Sequence, residues 1–185
     1  MTSIKPIHEF LLWDNCNNNC KFCFQKKNYH KLIDDQKRKS IQKVIEFLNS
    51  DKFQDGSHVM LVGGEIFDSP TIFADFNHLI SIIVNMMIEK KIDLLYINTN
   101  LIYKKLDSVL FLLDTIRSNK LFDRLKFTTS YDVEGRFTEK TEQLMLHNLE
   151  LIKKLYPECN IVVNSMLANK LCDMILSGEF SVKAF

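Results

Sequence analysis

Short apolar runs alternate with longer amphipathic segments along the whole chain. The short runs have the length of strands, whereas the longer ones carry apolar residues at i, i+3, i+4 and i+7, as amphipathic helices do. The predicted strands cover residues 10–13, 58–62, 94–97, 125–129 and 161–163. The predicted helices cover 36–49, 71–90, 106–116, 141–156 and a short stretch near 170–176.

This alternation predicts an α/β fold, because strands that alternate with helices form parallel sheets with helical crossovers. The expected architecture is a partial (β/α) barrel of parallel strands with about five to six β/α units. The five visible units exclude a complete eight-unit barrel. The length of 185 residues fits a single domain over 1–185, with the sixth β/α unit missing.

Composition narrows the class of protein. Hydrophobic residues make up 46% of the chain, which is typical of a globular protein. The net charge of +1 gives no global electrostatic signal for nucleic acid, and no apolar run is an evident membrane span. The N-terminus has no apolar signal-peptide region, so we expect a cytoplasmic protein, in which closely spaced cysteines bind metal more often than they form disulfides.

Chemically distinctive residues follow each predicted strand. In parallel α/β sheets the chemistry collects at the carboxyl ends of the strands, so these residues are expected to share one site. The set comprises the cysteine cluster after the first strand, Gly63-Gly64-Glu65 after the second, Asn100 after the third, Ser130 and Asp132 after the fourth, and Asn164 after the fifth.

Three cysteines, Cys16, Cys20 and Cys23, form a C-x3-C-x2-C cluster directly after the first strand. A cubane iron–sulfur cluster normally takes four thiolates, so three of them leave one iron open to another ligand. The alternative is a structural zinc site, which needs a fourth ligand, and the nearest candidate is His30. Cys159 and Cys172 lie far downstream and are predicted to be buried thiols.

The cysteine cluster with Phe22 before its last cysteine, followed by Gly63-Gly64-Glu65 after the next strand, closely resembles the radical S-adenosylmethionine (SAM) superfamily. The resemblance implies that the three cysteines hold a [4Fe-4S] cluster and that SAM binds the fourth iron. It further implies reductive cleavage of SAM to a 5′-deoxyadenosyl radical, which abstracts hydrogen from a substrate. An electron donor such as a flavodoxin or a ferredoxin is the implied partner.

The resemblance also implies roles for the other residues. Gly63, Gly64 and Glu65 are predicted to bind the amino group of SAM. The remaining predicted SAM contacts are Ser130 and Asp132 to the ribose hydroxyls, Arg136 to the methionine carboxylate, and Asn100 and Asn164 as weaker contacts. Relatives often have a Thr-Asn-Gly turn where this chain has Thr99-Asn100-Leu101.

Two features depart from a complete family member. Such barrels usually have six units, whereas residues 178–185 contain no convincing sixth strand, which favours a truncated product over a compact member. Compact members include activases that make a glycyl radical on a partner enzyme. That activity, a non-catalytic iron–sulfur protein and a zinc-binding module remain alternatives to a SAM-cleaving enzyme, and nothing in the sequence names the substrate.

Overall fold

The computed structural model describes residues 5–21, 23, 32–132, 135–165 and 169–178. Within these ranges the strands are β1 (Ile7–Leu11), β2 (Ser57–Val62), β3 (Ile92–Asn98), β4 (Leu125–Ser130) and β5 (Ile161–Asn164). The α-helices are α1 (Asp34–Leu48), α2 (Phe73–Ile88), α3 (Asp107–Ser118), α4 (Glu139–Leu155) and α5 (Asn169–Ser177).

The five strands form one parallel sheet in the order β1-β2-β3-β4-β5. Each strand therefore pairs with the next one along the chain, and a helix makes every crossover, as in a (β/α) barrel. The sheet is not closed, so the prediction of a partial barrel of parallel strands is confirmed.

The element boundaries differ from the predicted ones by a few residues. The largest change is in β1, which ends at Leu11, so Leu12 and Trp13 lie beyond the strand. The amide of Leu12 still donates to the carbonyl of Val62 (2.9 Å), and both Leu12 and Trp13 are fully buried. Their apolar character reflects burial in the core, where Trp13 packs against Phe76 of α2, and periodicity alone does not distinguish such residues from a strand.

The two faces of the sheet have different environments. Buried side chains such as Val59, Leu61, Ile97 and Phe127 belong to one core with the apolar sides of the helices. The opposite face is open, and Leu11 on β1 is 54% exposed. The open face of such a sheet corresponds to the interior of a barrel.

One described helical segment, Pro70–Ile88, is long and apolar enough to cross a membrane by length and composition alone. It combines a short 3-10 turn (Pro70–Ile72) with α2. Leu79, Ile80 and Ile83 on α2 are fully buried in the core of the protein. Packing against the sheet therefore accounts for the apolar character of this segment.

Candidate functional site

The three cysteines of the cluster lie on the connection from β1 to α1, at the carboxyl edge of the sheet. Cys20 is buried, whereas Cys16 and Cys23 are half-buried, and the amide of Cys23 donates to the carbonyl of Cys20 (3.2 Å). Among the described residues, no disulfide joins any two cysteines. Cys159 is buried as predicted, but Cys172 is only half-buried, because α5 packs less closely than the other helices.

Nitrogen donors surround the sulfurs of Cys16 and Cys20. The backbone amide of Asn18 (3.4 Å) and the side-chain amide of Asn100 (3.5 Å) donate to Cys16 Sγ. The side-chain amide of Asn18 (3.4 Å) and the guanidinium of Arg136 (3.8 Å) donate to Cys20 Sγ. Such donors stabilise thiolates, and hydrogen bonds to sulfur tune iron–sulfur clusters.

Burial opposes ionisation of the same two thiols. Desolvation raises the pKa of Cys16 to about 11 and also raises the pKa of Cys20, although the cation of Arg136 partly offsets the rise at Cys20. A thiol with a raised pKa is mostly protonated at neutral pH, and a metal that binds the sulfur displaces that proton. The two sulfurs are therefore better suited to a metal than to free nucleophilic chemistry.

The Gly-Gly-Glu segment lies directly against the chain that precedes Cys16. The amide of Gly64 donates to the carbonyl of Trp13 (2.8 Å), and the amide of Glu65 donates to the carbonyl of Asn15 (2.8 Å). A Cβ atom on Gly64 would lie 2.2 Å from the carbonyl oxygen of Asn15, and one on Gly63 would lie 2.8 Å from that of Trp13. The two glycines thus permit a close backbone approach that positions the cysteine loop.

Glu65 is 1% exposed, and its carboxylate accepts several hydrogen bonds from the protein. The donors are the amide of Phe67 (3.1 Å), the hydroxyl of Thr99 (2.9 Å) and the amide of Asn100 (2.6 Å). Burial raises its pKa to about 7, although these hydrogen bonds favour the charged form. Glu65 therefore joins the loop after β2 to the loop after β3, and its predicted contact with the SAM amino group stays a prediction.

The loop after β3 carries the position where relatives often have glycine. Leu101 has a φ of 58°, the left-handed conformation that glycine adopts most readily, and its side chain is fully buried. Asn100, the residue before it, donates to Asn17 Oδ1 (2.9 Å) as well as to Cys16. The turn therefore keeps the left-handed backbone conformation although leucine stands in place of glycine. In this turn the side chain of Asn100 is directed at the cysteine loop.

The loop after β4 also reaches the cysteine loop. Asp132 is 5% exposed and forms an ion pair with Arg136, whose guanidinium is the donor to Cys20. The amide of Lys21 donates to the carbonyl of Gly135 (2.7 Å). The predicted residues Asp132 and Arg136 are thus brought against the cysteines, although they lie more than a hundred positions further along the chain.

Ser130 and Asn164 occupy paired positions at the ends of β4 and β5. The carbonyl of Asn164 accepts from the amide of Tyr131 (2.8 Å), which extends the pairing by one residue. In the part of the chain that the structure describes, no hydrogen bond joins either side chain to the cysteine loop. The two residues therefore lie at the same edge of the sheet as the cysteines, but at the far end of the site.

Three thiolates match the cysteine ligation of a cubane iron–sulfur cluster with one iron left open. Over the described ranges, no group of three or more histidine, cysteine or acidic side chains could hold one metal ion. In a cubane each cysteine binds a different iron, so the three sulfurs need not converge on one point. His30, the candidate fourth ligand of a zinc site, lies outside the described residues.

Four polar residues that hold the loops of the site were not predicted from the sequence. Three of them lie in the cysteine loop, namely Asn15, Asn17 and Asn18, and the fourth is Thr99 in the loop after β3. A usable signal was present, since asparagine occupies four of the five positions from 15 to 19. Asparagine side chains commonly satisfy backbone groups in loops of this kind.

Fold and site together define an α/β protein with a thiolate cluster at the carboxyl edge of a parallel sheet. A family model described as the Radical SAM superfamily matches residues 10–167. The chain therefore belongs to the radical SAM superfamily, whose members are generally enzymes. Comparison with curated proteins finds no match.

Proposed function

We propose that the chain is a radical SAM enzyme that holds a [4Fe-4S] cluster through Cys16, Cys20 and Cys23. When bound, the cluster supplies the electron that cleaves SAM to methionine and a 5′-deoxyadenosyl radical, which abstracts hydrogen from an unidentified substrate. The observation that carries the proposal is the set of nitrogen donors on Cys16 and Cys20, in a loop that Gly63 and Gly64 allow to lie against the sheet.

The residues of the chain would prepare this site in three ways. Asn18, Asn100 and Arg136 donate to the sulfurs and offset the negative charge of the thiolates. The backbone contacts of Gly64 and Glu65 fix the start of the cysteine loop. The hydrogen bonds of Glu65 hold the loops after β2 and β3 in a constant relative position, which leaves little reorganisation for cluster binding.

SAM would bind at the carboxyl edge of the sheet, beside the cluster. Gly63, Gly64 and Glu65 on the loop after β2, together with Asn100, would hold its amino acid end. The contacts assigned to the far side of the site are Ser130 and Asp132 for the ribose, Arg136 for the carboxylate, and Asn164. The position of Arg136 supports this assignment, because its guanidinium lies beside Cys20, a proposed ligand of the cluster, and could pair with a carboxylate held there.

The proposal carries two further expectations. Reduction of the cluster requires an external one-electron donor, such as a flavodoxin or a ferredoxin. We also expect the protein in the cytoplasm, where closely spaced cysteines bind metal more often than they form disulfides.

The test is anaerobic reconstitution of the chain with iron and sulfide, followed by reduction and addition of SAM. The wild-type chain is compared with Cys20→Ala and with Cys159→Ala, a matched control that removes a buried thiol outside the loop. We expect wild type and Cys159→Ala to bind about four irons per chain and to release 5′-deoxyadenosine, whereas Cys20→Ala does neither.

Each other outcome has a defined meaning. A cluster that forms without release of 5′-deoxyadenosine would favour a non-catalytic iron–sulfur protein. Zinc without sulfide would favour a zinc-binding module. If the cluster forms equally well in Cys20→Ala, the assignment of the ligands is wrong.

A further inference from the structure

A cavity of about 680 Å³ lies on the carboxyl side of the sheet, separate from the proposed cluster and SAM residues. It is lined by the connection from β2 to α2, the connection from β3 to α3, and the first turns of α4, and it is open to solvent on one side. Volumes of this size are typical of sites for small organic molecules. The apolar part of its wall includes Phe67, Phe73, Ile102, Tyr103 and Leu144.

Three lysines, Lys104, Lys105 and Lys140, contribute to the same wall. All three are exposed, and no ion pair involves them in the part of the chain that the structure describes. The cavity therefore combines an apolar interior with ammonium groups that are free to bind an anion.

Two carboxylates, Asp68 and Asp107, line the same wall and are outnumbered by the three lysines. Desolvation raises the pKa of Asp68, and the ammonium of Lys37 and a hydrogen bond from Asn17 partly offset this rise. Asp107 lies in the first turn of α3, where the positive end of the helix dipole stabilises it. Among the described lining residues, the three lysines therefore leave an excess of positive charge.

The cavity shares one wall with the cysteine loop. Asn17 lines the cavity, hydrogen-bonds to the carbonyl of Ile102, and accepts from Asn100, the same side chain that donates to Cys16. None of the residues assigned to the cluster or to SAM lines the cavity. The cavity is therefore a neighbour of the proposed site and not a part of it.

We propose that this cavity binds a small organic carboxylate with an extended apolar body. The apolar body would bury against the aromatic and aliphatic wall, where each methylene removed from water strengthens binding. The carboxylate would remain at the mouth, within reach of Lys104 and Lys105, because a charge is costly to bury without a partner. This binding goes beyond SAM cleavage and requires no cluster.

The test is calorimetric titration of the cluster-free chain with octanoate. Octan-1-ol has the same alkyl chain as octanoate but no charge, and acetate has the carboxylate but almost no alkyl chain. We expect saturable 1:1 binding of octanoate, at least tenfold weaker binding of octan-1-ol, and no measurable binding of acetate. Equal affinity for octanoate and octan-1-ol, or no saturable binding of octanoate, would overturn the proposal.

Two variants locate the binding. The double variant Lys104→Gln/Lys105→Gln removes the two charges and is expected to weaken the binding of octanoate about tenfold. The matched control is Lys39→Gln/Lys43→Gln on the exposed side of α1, which should bind octanoate as the wild type does. Leu144→Trp fills the cavity and is expected to abolish binding, with circular dichroism as the check on folding. If the lysine variant binds octanoate as tightly as the wild type does, the ligand binds elsewhere and the proposal is wrong.

Discussion

Asn15 forms two hydrogen bonds with the backbone of Leu32, one through each end of its side-chain amide. Its Nδ2 donates to the carbonyl of Leu32 (3.2 Å), and its Oδ1 accepts from the amide of Leu32 (2.9 Å). All three cysteines of the cluster lie between these two residues. A single side chain therefore joins the two ends of the loop that would hold the cluster.

We expect Asn15→Ala to release this loop while the sheet remains folded. Two hydrogen bonds contribute about 1–3 kcal/mol together, so a bound cluster should be lost to a chelator about tenfold faster. The measurement is the decay of the iron–sulfur absorbance after addition of an iron chelator. Asn49→Ala is the matched control, because Asn49 donates to a backbone carbonyl at the exposed end of α1. Equal decay rates for wild type and Asn15→Ala would contradict the role of Asn15.

Gly64→Ala should displace the cysteine loop, because the added Cβ would lie 2.2 Å from the backbone of Asn15. We expect a loss of at least about 2 kcal/mol in the free energy of unfolding and little bound iron after reconstitution. Gly56→Ala is the control, since Gly56 has a positive φ but no neighbour within 4 Å of the added Cβ. It isolates the cost of backbone strain, about 1 kcal/mol. Similar effects of the two variants in urea unfolding would show that the contact with Asn15 can relax.

The buried carboxyl of Glu65 should make the stability of the cluster-free chain depend on pH. Its folded pKa is about 7, above its ordinary value of 4.5, so between these values the folded state binds more protons than the unfolded state. The contribution of Glu65 to the free energy of unfolding therefore falls as pH rises from about 4.5 to about 7. The full effect is about 3 kcal/mol.

Glu65→Gln removes this dependence, because glutamine does not titrate. The difference in unfolding free energy between wild type and Glu65→Gln, measured in urea from pH 4.5 to 7.5, should shrink or change sign as pH rises. Glu150→Gln, on the exposed side of α4, should show no such trend. A difference that stays constant over this pH range would mean that Glu65 is charged throughout.

The guanidinium of Arg136 should raise the reduction potential of a bound cluster. Arg136 donates to Cys20 Sγ (3.8 Å), and a nearby cation favours the more negative, reduced state of the cluster. We expect Arg136→Gln to shift the potential to a more negative value and Arg136→Lys, which keeps the charge, to shift it less. The measurement is a redox titration followed by electron paramagnetic resonance.

Arg117→Gln is the control for this titration, because Arg117 forms a comparable ion pair with Glu158 at the surface. It should leave the potential unchanged. If Arg136→Gln and wild type have the same potential, the contact between Arg136 and Cys20 does not survive cluster binding.

The sequence predicted the elements well because their signals are local. The apolar repeat of α2 and the short apolar run of β2 are each contained in a few consecutive residues. Trp13 shows the limit of this reasoning: it was assigned to the first strand, but it lies beyond β1 and donates to the carbonyl of Glu65 (3.0 Å). An apolar residue that is buried in the core beyond the end of a strand has the same local signal as a strand residue.

The α/β class, the order of the elements, and the collection of Cys16, Cys20, Gly64 and Asn100 at one edge of the sheet could all be predicted from the amino-acid sequence. These follow from periodicity, spacing and the rule that parallel strands end together. Three contacts could be seen only in the folded chain: Gly64 lies against the backbone of Asn15, Asn100 donates to Cys16, and Arg136 reaches Cys20. Each of these contacts joins residues far apart along the chain, so it depends on the packing of whole elements and not on local propensity.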